Sequence, residues 1–385
     1  WDEALAANKW YVLIVVLCVY WAATLLNLRG MKTSAGVTKW GTIIGTIIPG
    51  AILILLGLGY WAGGNPILLD MSWDKLVPDM SNFNNLVLAA SIFLFYAGME
   101  MSAVHVKDVN NPGRNYPLAI LISAIITVLI FVLGTLAIGF IIPNSQINLV
   151  QSLLITYDSY FSFFGLGWMN WILALALAVG VLAQVTAWVG GPSKGLYQVG
   201  LAGNLPPVMQ KRNKNNVQMG ILLIQGGIVT LLSIMFVIMP SVQSAYQIIS
   251  QLTIILYLIM YMLMFASGIY LRYREPNTPR TFRIPGGRTF GMWVVGGLGL
   301  LASLAAFLVS FIPPNQITVG SSTMYVLLLV VGTFIFAGIP FIIHAMAKPS
   351  WKRPVDPEDA FEPFGWEKSN GSHSAATPSH SISHE

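Results

Sequence analysis

The chain has 385 residues, of which 55% are hydrophobic and 9% are charged, and its mean hydropathy is +0.69. A soluble domain carries about 25% charged residues, so this composition excludes a soluble protein and predicts an all-α polytopic membrane protein. The single cysteine, Cys18, excludes a disulfide framework and a cysteine-based zinc site. The net charge of +5 is informative here through its distribution along the chain, and we do not expect a nucleic-acid partner.

Nine apolar segments approach the length of roughly 20 residues that a helix needs to cross a bilayer. They are residues 11–26, 41–62, 84–106, 118–142, 167–189, 217–239, 247–271, 291–312 and 324–346. The long connection 143–166 is half apolar, and it predicts either an external helix over the pathway or an interfacial loop. We therefore divide the chain into a stub at 1–9, a membrane domain at 10–348 and a polar, disordered tail at 349–385.

The basic residues gather on alternate connections. Eighteen of the 20 Lys and Arg residues follow an odd-numbered span, and only Lys9 and Lys75 lie elsewhere. Because basic loops stay in the cytoplasm, this pattern predicts a cytoplasmic C-terminus and, with nine spans, an external N-terminus. An external N-terminus with neither a signal peptide nor an initiator Met is unusual. We therefore expect an odd number of further spans ahead of Trp1.

The third span is interrupted near its middle. Gly98 and Glu100 stand inside the apolar run 90–106, where a charge costs about 2.5–3.5 kcal/mol on insertion scales. A helix that unwinds at membrane depth is tolerated only where its backbone lines a cavity or the protein interior, and transporters use such breaks to bind substrate. The alternative is an ordinary glycine packing contact beside a glutamate that reaches the membrane surface.

Three spaced motifs then point to one family. NPGRNYP at 111–117 follows the break, residues 191–218 follow the fifth span, and RTFRIPGG at 280–287 follows the seventh. In this order they resemble the sixth helix, the eighth-to-ninth helix junction and the loop after the tenth helix of the amino acid–polyamine–organocation (APC) transporters. The residues of these motifs are most similar to those of bacterial glutamate:γ-aminobutyrate antiporters. The resemblance implies a twelve-helix, LeuT-like fold with a 5+5 inverted repeat, of which residues 10–348 are helices four to twelve.

The resemblance also implies where the substrate lies. Tyr96, Ala97, Gly98, Met99 and Glu100 match the break in the sixth helix, where backbone groups hold the amino or carboxyl group of the substrate. Glu100 is expected to help build a gate; the alternative is a structural anchor to a neighbouring helix.

Two further helices carry candidate site residues. Tyr257 and Tyr261 are four residues apart and share a helix face; by resemblance they line the path, although aromatic residues at this spacing also serve packing. Gln184 and Trp188 share a face of the fifth span, where Trp188 either walls the cavity or packs. The similar antiporters have a glutamate in place of Gln184. An amide cannot titrate. The resemblance therefore does not imply that Gln184 senses protons, and it does not imply specificity for glutamate.

The expected function is therefore secondary transport. The chain is interpreted as an antiporter of the bacterial plasma membrane that exchanges external glutamate, or a related amino acid, for internal γ-aminobutyrate in acid resistance. The alternatives are a permease for another amino acid or amine, and a channel or structural membrane subunit. We expect no enzyme activity and no cofactor, because the sequence shows no paired carboxylates, nucleophile elbow or phosphate loop. His105 and His344 lie at span ends and receive no role.

The tail carries three histidines, His373, His380 and His384. In the similar antiporters the tail closes the cytoplasmic mouth at neutral pH and leaves it in acid. Histidine charges near pH 6.5, so acid is expected to make this segment positive and to drive it from a basic mouth. The alternative is a tail without function.

Overall fold

The computed structural model describes residues 3–72, 97–143, 146–148, 151–277, 280, 282–286, 289–314 and 321–353, with single positions 79, 81, 85, 87, 89 and 92. Within these residues every regular element is helical, and eight helices are long and apolar enough to cross a membrane. They correspond to eight of the nine predicted spans, and the all-α class is confirmed. The remaining span, 84–106, falls largely outside the described residues.

The long helices are numbered in chain order. We label them α1 (Lys9–Leu28), α2 (Met31–Ala62), α3 (Pro112–Ile141), α4 (Ser152–Phe163), α5 (Asn170–Val199), α6 (Met219–Ser233), α7 (Val242–Arg274), α8 (Phe290–Val309) and α9 (Ser322–Ala345). A short helix, Glu3–Ala7, precedes α1, and a 3-10 helix, Met99–Asp108, precedes α3.

The start of α2 corrects the predicted span 41–62. The helix begins at Met31, because Gly30 alone turns the chain with a φ of 116° in the left-handed region that favours glycine. Lys32 and Lys39, which were expected in a loop, lie in the helix instead. Hydropathy missed this part of α2 because its residues are polar on average. Polar residues form the same backbone hydrogen bonds in a helix as apolar residues do.

Helices α2 and α5 cross at very short range. A Cβ atom at Gly45 would come within 2.2 Å of the Gly180 Cα, and one at Gly41 within 2.4 Å of the Ala183 Cβ. Small residues allow such an approach between membrane helices. At the crossing α2 contains a π-helical turn, Ile43–Ile47, which turns Thr46 toward α5.

Helix α4 lies within the connection 143–166, so a helix is confirmed there and a wholly irregular interfacial loop was wrong. It packs through two buried phenols: Tyr157 donates to the Pro49 carbonyl at 2.7 Å, and Tyr160 to the Ala137 carbonyl at 2.6 Å. Burial, with a contribution from Tyr60, raises the pKa of Tyr160 to about 12, so its hydroxyl keeps the proton it donates. The helix therefore braces α2 against α3.

Three of the basic connections meet at one end of the bundle, which we call the basic end. The side-chain amides of Asn213 and Asn215 donate to the Leu28 carbonyl at 2.7 and 3.1 Å, and that of Gln210 donates to the Trp351 carbonyl at 2.9 Å. These bonds join the end of α1, the loop after α5 and the segment after α9.

Candidate functional site

The backbone leaves helical geometry at Gly98. This residue has φ 105° and ψ −7°, and the 3-10 helix Met99–Asp108 follows it directly. The chain then extends at Val109 and turns through Asn111 (φ 48°) into α3, which has a proline in its first turn. The described backbone is therefore non-helical at Gly98, where the sequence predicts an interruption. Tyr96 lies outside the described residues.

Trp188 of α5 covers the break. A Cβ atom at Gly98 would lie 2.7 Å from the Trp188 Cζ2 atom and 2.8 Å from its Cη2 atom. Real Cβ atoms do not approach other atoms so closely, so Gly98 is needed twice, for its left-handed backbone and for its missing side chain. Ala97 and Met99, which flank it, are half-buried.

Glu100 ties the break to α7. Its Oε2 atom accepts one hydrogen bond from the Gly98 backbone N–H at 3.1 Å and another from the Tyr261 hydroxyl at 2.9 Å. Its Oε1 atom is buried and has no hydrogen-bond partner among the described residues. A buried carboxylate oxygen without a donor is costly, so this oxygen can accept a further hydrogen bond.

A row of aromatic rings extends along α7 from this carboxylate. Ring centroids lie 5.9 Å apart for Trp188 and Tyr257, 5.7 Å for Tyr257 and Tyr261, and 6.3 Å for Tyr261 and Phe265. The structure thus brings Trp188, Tyr257 and Tyr261 together, as expected. Phe265 was missed, although its spacing of four residues from Tyr261 continues the same helix face.

Gln184 lies one helical turn before Trp188 and has a different partner. Its amide donates to the Thr46 hydroxyl of α2 at 2.9 Å. The two residues lie at the π-helical turn of α2, and π-turns are frequent at functional sites. Thr46 could not be selected from the sequence, because nothing in its composition marks a π-turn.

A cavity of about 560 Å³ lies beside the break, toward the basic end. It is lined by the end of α1, the first half of α2, the 3-10 helix, α5 and the loop before α6, and it is partly open. Sequence reasoning missed it because five separate segments form its wall. Lys39 and Lys194 are its basic residues.

The other candidates do not enter this site. The tail histidines His373, His380 and His384 and the His105 side chain lie outside the described residues, and His344 sits in the last turn of α9. No group of three His, Cys, Asp or Glu side chains that could hold a metal ion occurs in the described part of the chain.

A bundle of membrane-crossing helices that encloses a non-helical turn beside a carboxylate and a row of aromatic rings is typical of membrane transport proteins. Comparison with known families gives the particular group. The model of the amino acid permease family matches residues 1–336, and the chain belongs to this family.

Several curated proteins are similar to the chain along most of its length. An uncharacterised transporter of Legionella pneumophila is 37% identical over 338 residues, which are 88% of this chain and 72% of the relative. A glutamate/gamma-aminobutyrate antiporter of Lactococcus lactis is 32% identical over 347 residues, 89% of this chain and 69% of the relative. A protein of the same species named as a probable agmatine/putrescine antiporter is 23% identical over 283 residues, 72% and 59% respectively.

Proposed function

We propose that the protein is an antiporter that exchanges glutamate, or a related amino acid, for γ-aminobutyrate across a bacterial plasma membrane, with its C-terminus in the cytoplasm, and that the exchange serves acid resistance. The similarity to the Lactococcus glutamate/gamma-aminobutyrate antiporters supports the substrate pair. The alternation of basic connections supports the orientation.

The unused Oε1 atom of Glu100 is the observation that carries the proposal. An ammonium group has three donors and no acceptor, so it suits a buried carboxylate oxygen that lacks a donor. Glutamate and γ-aminobutyrate both carry one ammonium and at least one carboxylate. One site that recognises the ammonium can therefore hold either substrate, as alternating exchange requires.

The surrounding residues complete this site. We assign the substrate carboxylate to the backbone N–H groups of Ala97 and Met99, because a break in a membrane helix presents polar backbone groups and the Gly98 N–H already donates to Glu100. The rings of Trp188 and Tyr257 pack edge to face on one side of the site, and the bond between Tyr261 and Glu100 closes the site on the α7 side.

A second candidate is exchange of another amino acid or of an amine. Gln184 favours this candidate, because a neutral amide replaces the glutamate of the similar antiporters. The similarity to a probable agmatine/putrescine antiporter also supports it. In either case the family and the relatives are transporters.

Counterflow in proteoliposomes tests the proposal. Vesicles loaded with γ-aminobutyrate and given labelled external glutamate are expected to accumulate label transiently above its equilibrium level, and empty vesicles are not. A channel gives simple equilibration in both. Accumulation with agmatine or putrescine, but not with glutamate or γ-aminobutyrate, would establish the second candidate instead.

A further inference from the structure

Two lysines lie within membrane-crossing helices and face the cavity beside the break. Lys39 is about 12 Å along α2 from its start at Met31, and Lys194 is about 8 Å before the end of α5 at Val199. Both helices are longer than the roughly 30 Å of a hydrocarbon core, so the two lysines lie toward the basic end, where water reaches them, and Lys39 is exposed.

The wall of the cavity is suited to an anion. None of its described lining residues is acidic. Its other polar side chains are amides and hydroxyls. The Asn27 amide and the Ser34 hydroxyl already donate to backbone carbonyls, so the positive charge of the lysines is the main attraction for an anion. Lys194 makes further interactions, so the argument rests mainly on Lys39, whose ammonium lies 5.4 Å from the centre of the Trp40 ring.

The cavity adjoins the proposed substrate site. Met101 and Ser102, which follow Glu100 directly, form part of its wall, and so does Ala187, the residue before Trp188. The remaining lining comes from the basic end, including Asn215 and Gln218. A substrate that moves between the Gly98 break and the basic end therefore passes through this cavity.

We propose that the cavity is a second binding site, a vestibule in which Lys39 holds the carboxylate of an amino acid between the Gly98 break and the basic end. The inference rests on the proposed function and extends it. The ligand class is a free amino acid carboxylate, with a preference for net-negative substrates over zwitterions and cations. The vestibule concentrates such anions next to the break.

Cysteine modification tests the charge of the vestibule without requiring transport. In a Cys18→Ser background, Thr38→Cys places a thiol in the cavity wall beside Lys39. Purified protein in neutral detergent is treated with two methanethiosulfonates, one carrying an anionic sulfonate and one a cationic trimethylammonium group. The rate ratio, anionic over cationic, is expected to fall on Lys39→Gln and to stay unchanged on Lys39→Arg.

The size of the effect follows from the charge. A unit charge about 7 Å away changes the local concentrations of anions and cations in opposite directions, so the ratio should fall about five-fold at low ionic strength and about two-fold at 0.15 M salt. Lys32→Gln is the matched control: Lys32 lies on the same helix but not in the cavity wall. It is expected to change the ratio by less than Lys39→Gln does.

Substrate protection separates the vestibule from the proposed function. Excess glutamate should slow modification of Thr38→Cys, γ-aminobutyrate should slow it less, and agmatine should not slow it. An unchanged rate ratio in Lys39→Gln would overturn the proposal. So would an absence of protection by glutamate in a protein that passes the counterflow assay, since the cavity would then lie off the substrate path. Failure of counterflow alone would refute the proposed function while leaving the charge measurement intact.

Discussion

Replacing Tyr261 with phenylalanine removes one hydroxyl from the site and keeps its ring in the aromatic row. That hydroxyl donates to the Glu100 Oε2 atom at 2.9 Å, and the Gly98 N–H donates to the same atom at 3.1 Å. The Tyr257 hydroxyl also interacts with this carboxylate. The variant therefore removes the bond from Tyr261 and loosens the tie between the break and α7.

The cost can be given a magnitude. A hydrogen bond to a charged group contributes about 1.5–3 kcal/mol, and each 1.4 kcal/mol is about a factor of ten. If the bond holds the binding-competent shape of the break, Tyr261→Phe lowers exchange at sub-saturating substrate about ten- to a hundred-fold. Glu100→Gln should lower it at least as much, because it also removes the charge that attracts the ammonium.

Initial rates of counterflow in proteoliposomes measure this effect, at equal amounts of inserted protein. Tyr157→Phe is the matched control, because it also removes one buried phenol hydroxyl, from a bond of 2.7 Å to the Pro49 carbonyl in another part of the bundle. It should lower thermal stability without changing the apparent substrate affinity. Equal exchange by Tyr261→Phe and the unmodified protein would refute the role given to the pair of Tyr261 and Glu100.

The remaining predictions concern the break, the α5 face and the tail. Gly98→Ala should abolish exchange with membrane insertion intact, because the new Cβ atom meets Trp188 at 2.7 Å; Trp188→Ala in addition should restore exchange only in part, since φ 105° stays unfavourable. Gln184→Glu should change the choice of substrate or the pH–rate curve between pH 4.5 and 7.5. If the exchange rates for all tested substrates are unchanged over this range, residue 184 does not face the substrate path. Deleting 354–385 should raise exchange at pH 7 and change it little at pH 5; identical pH–rate curves would show that the tail gates nothing.

Hydropathy was sufficient for most of the membrane helices. In lipid the backbone must satisfy its hydrogen bonds internally, so an apolar run of the right length has few alternatives to a helix, as in α3 and α9. The start of α2 was wrong because the residues after Gly30 are polar and resemble a loop. The helix there is set by local hydrogen bonding and by packing on α5 at Gly45 and Gly180.

The candidate site was only partly predictable. Gly98 and Glu100 stand out within an apolar run, and Tyr257 and Tyr261 share a helix face, so each could be selected alone. The bond between Glu100 and Tyr261 joins residues 161 positions apart, and no local pattern specifies it. The cavity depends on five segments at once, and no single segment marks it.

The position of the bound substrate tests the central claim most directly. An electron cryomicroscopy map of the protein with saturating glutamate, compared with a map without it, measures that position. The ammonium is expected within hydrogen-bond distance of the Glu100 Oε1 atom, with the carboxylate at the backbone of the Gly98 break and Trp188 beside it. Substrate density elsewhere in the bundle, with Glu100 still bonded to Tyr261 and its Oε1 atom unoccupied, would contradict the account.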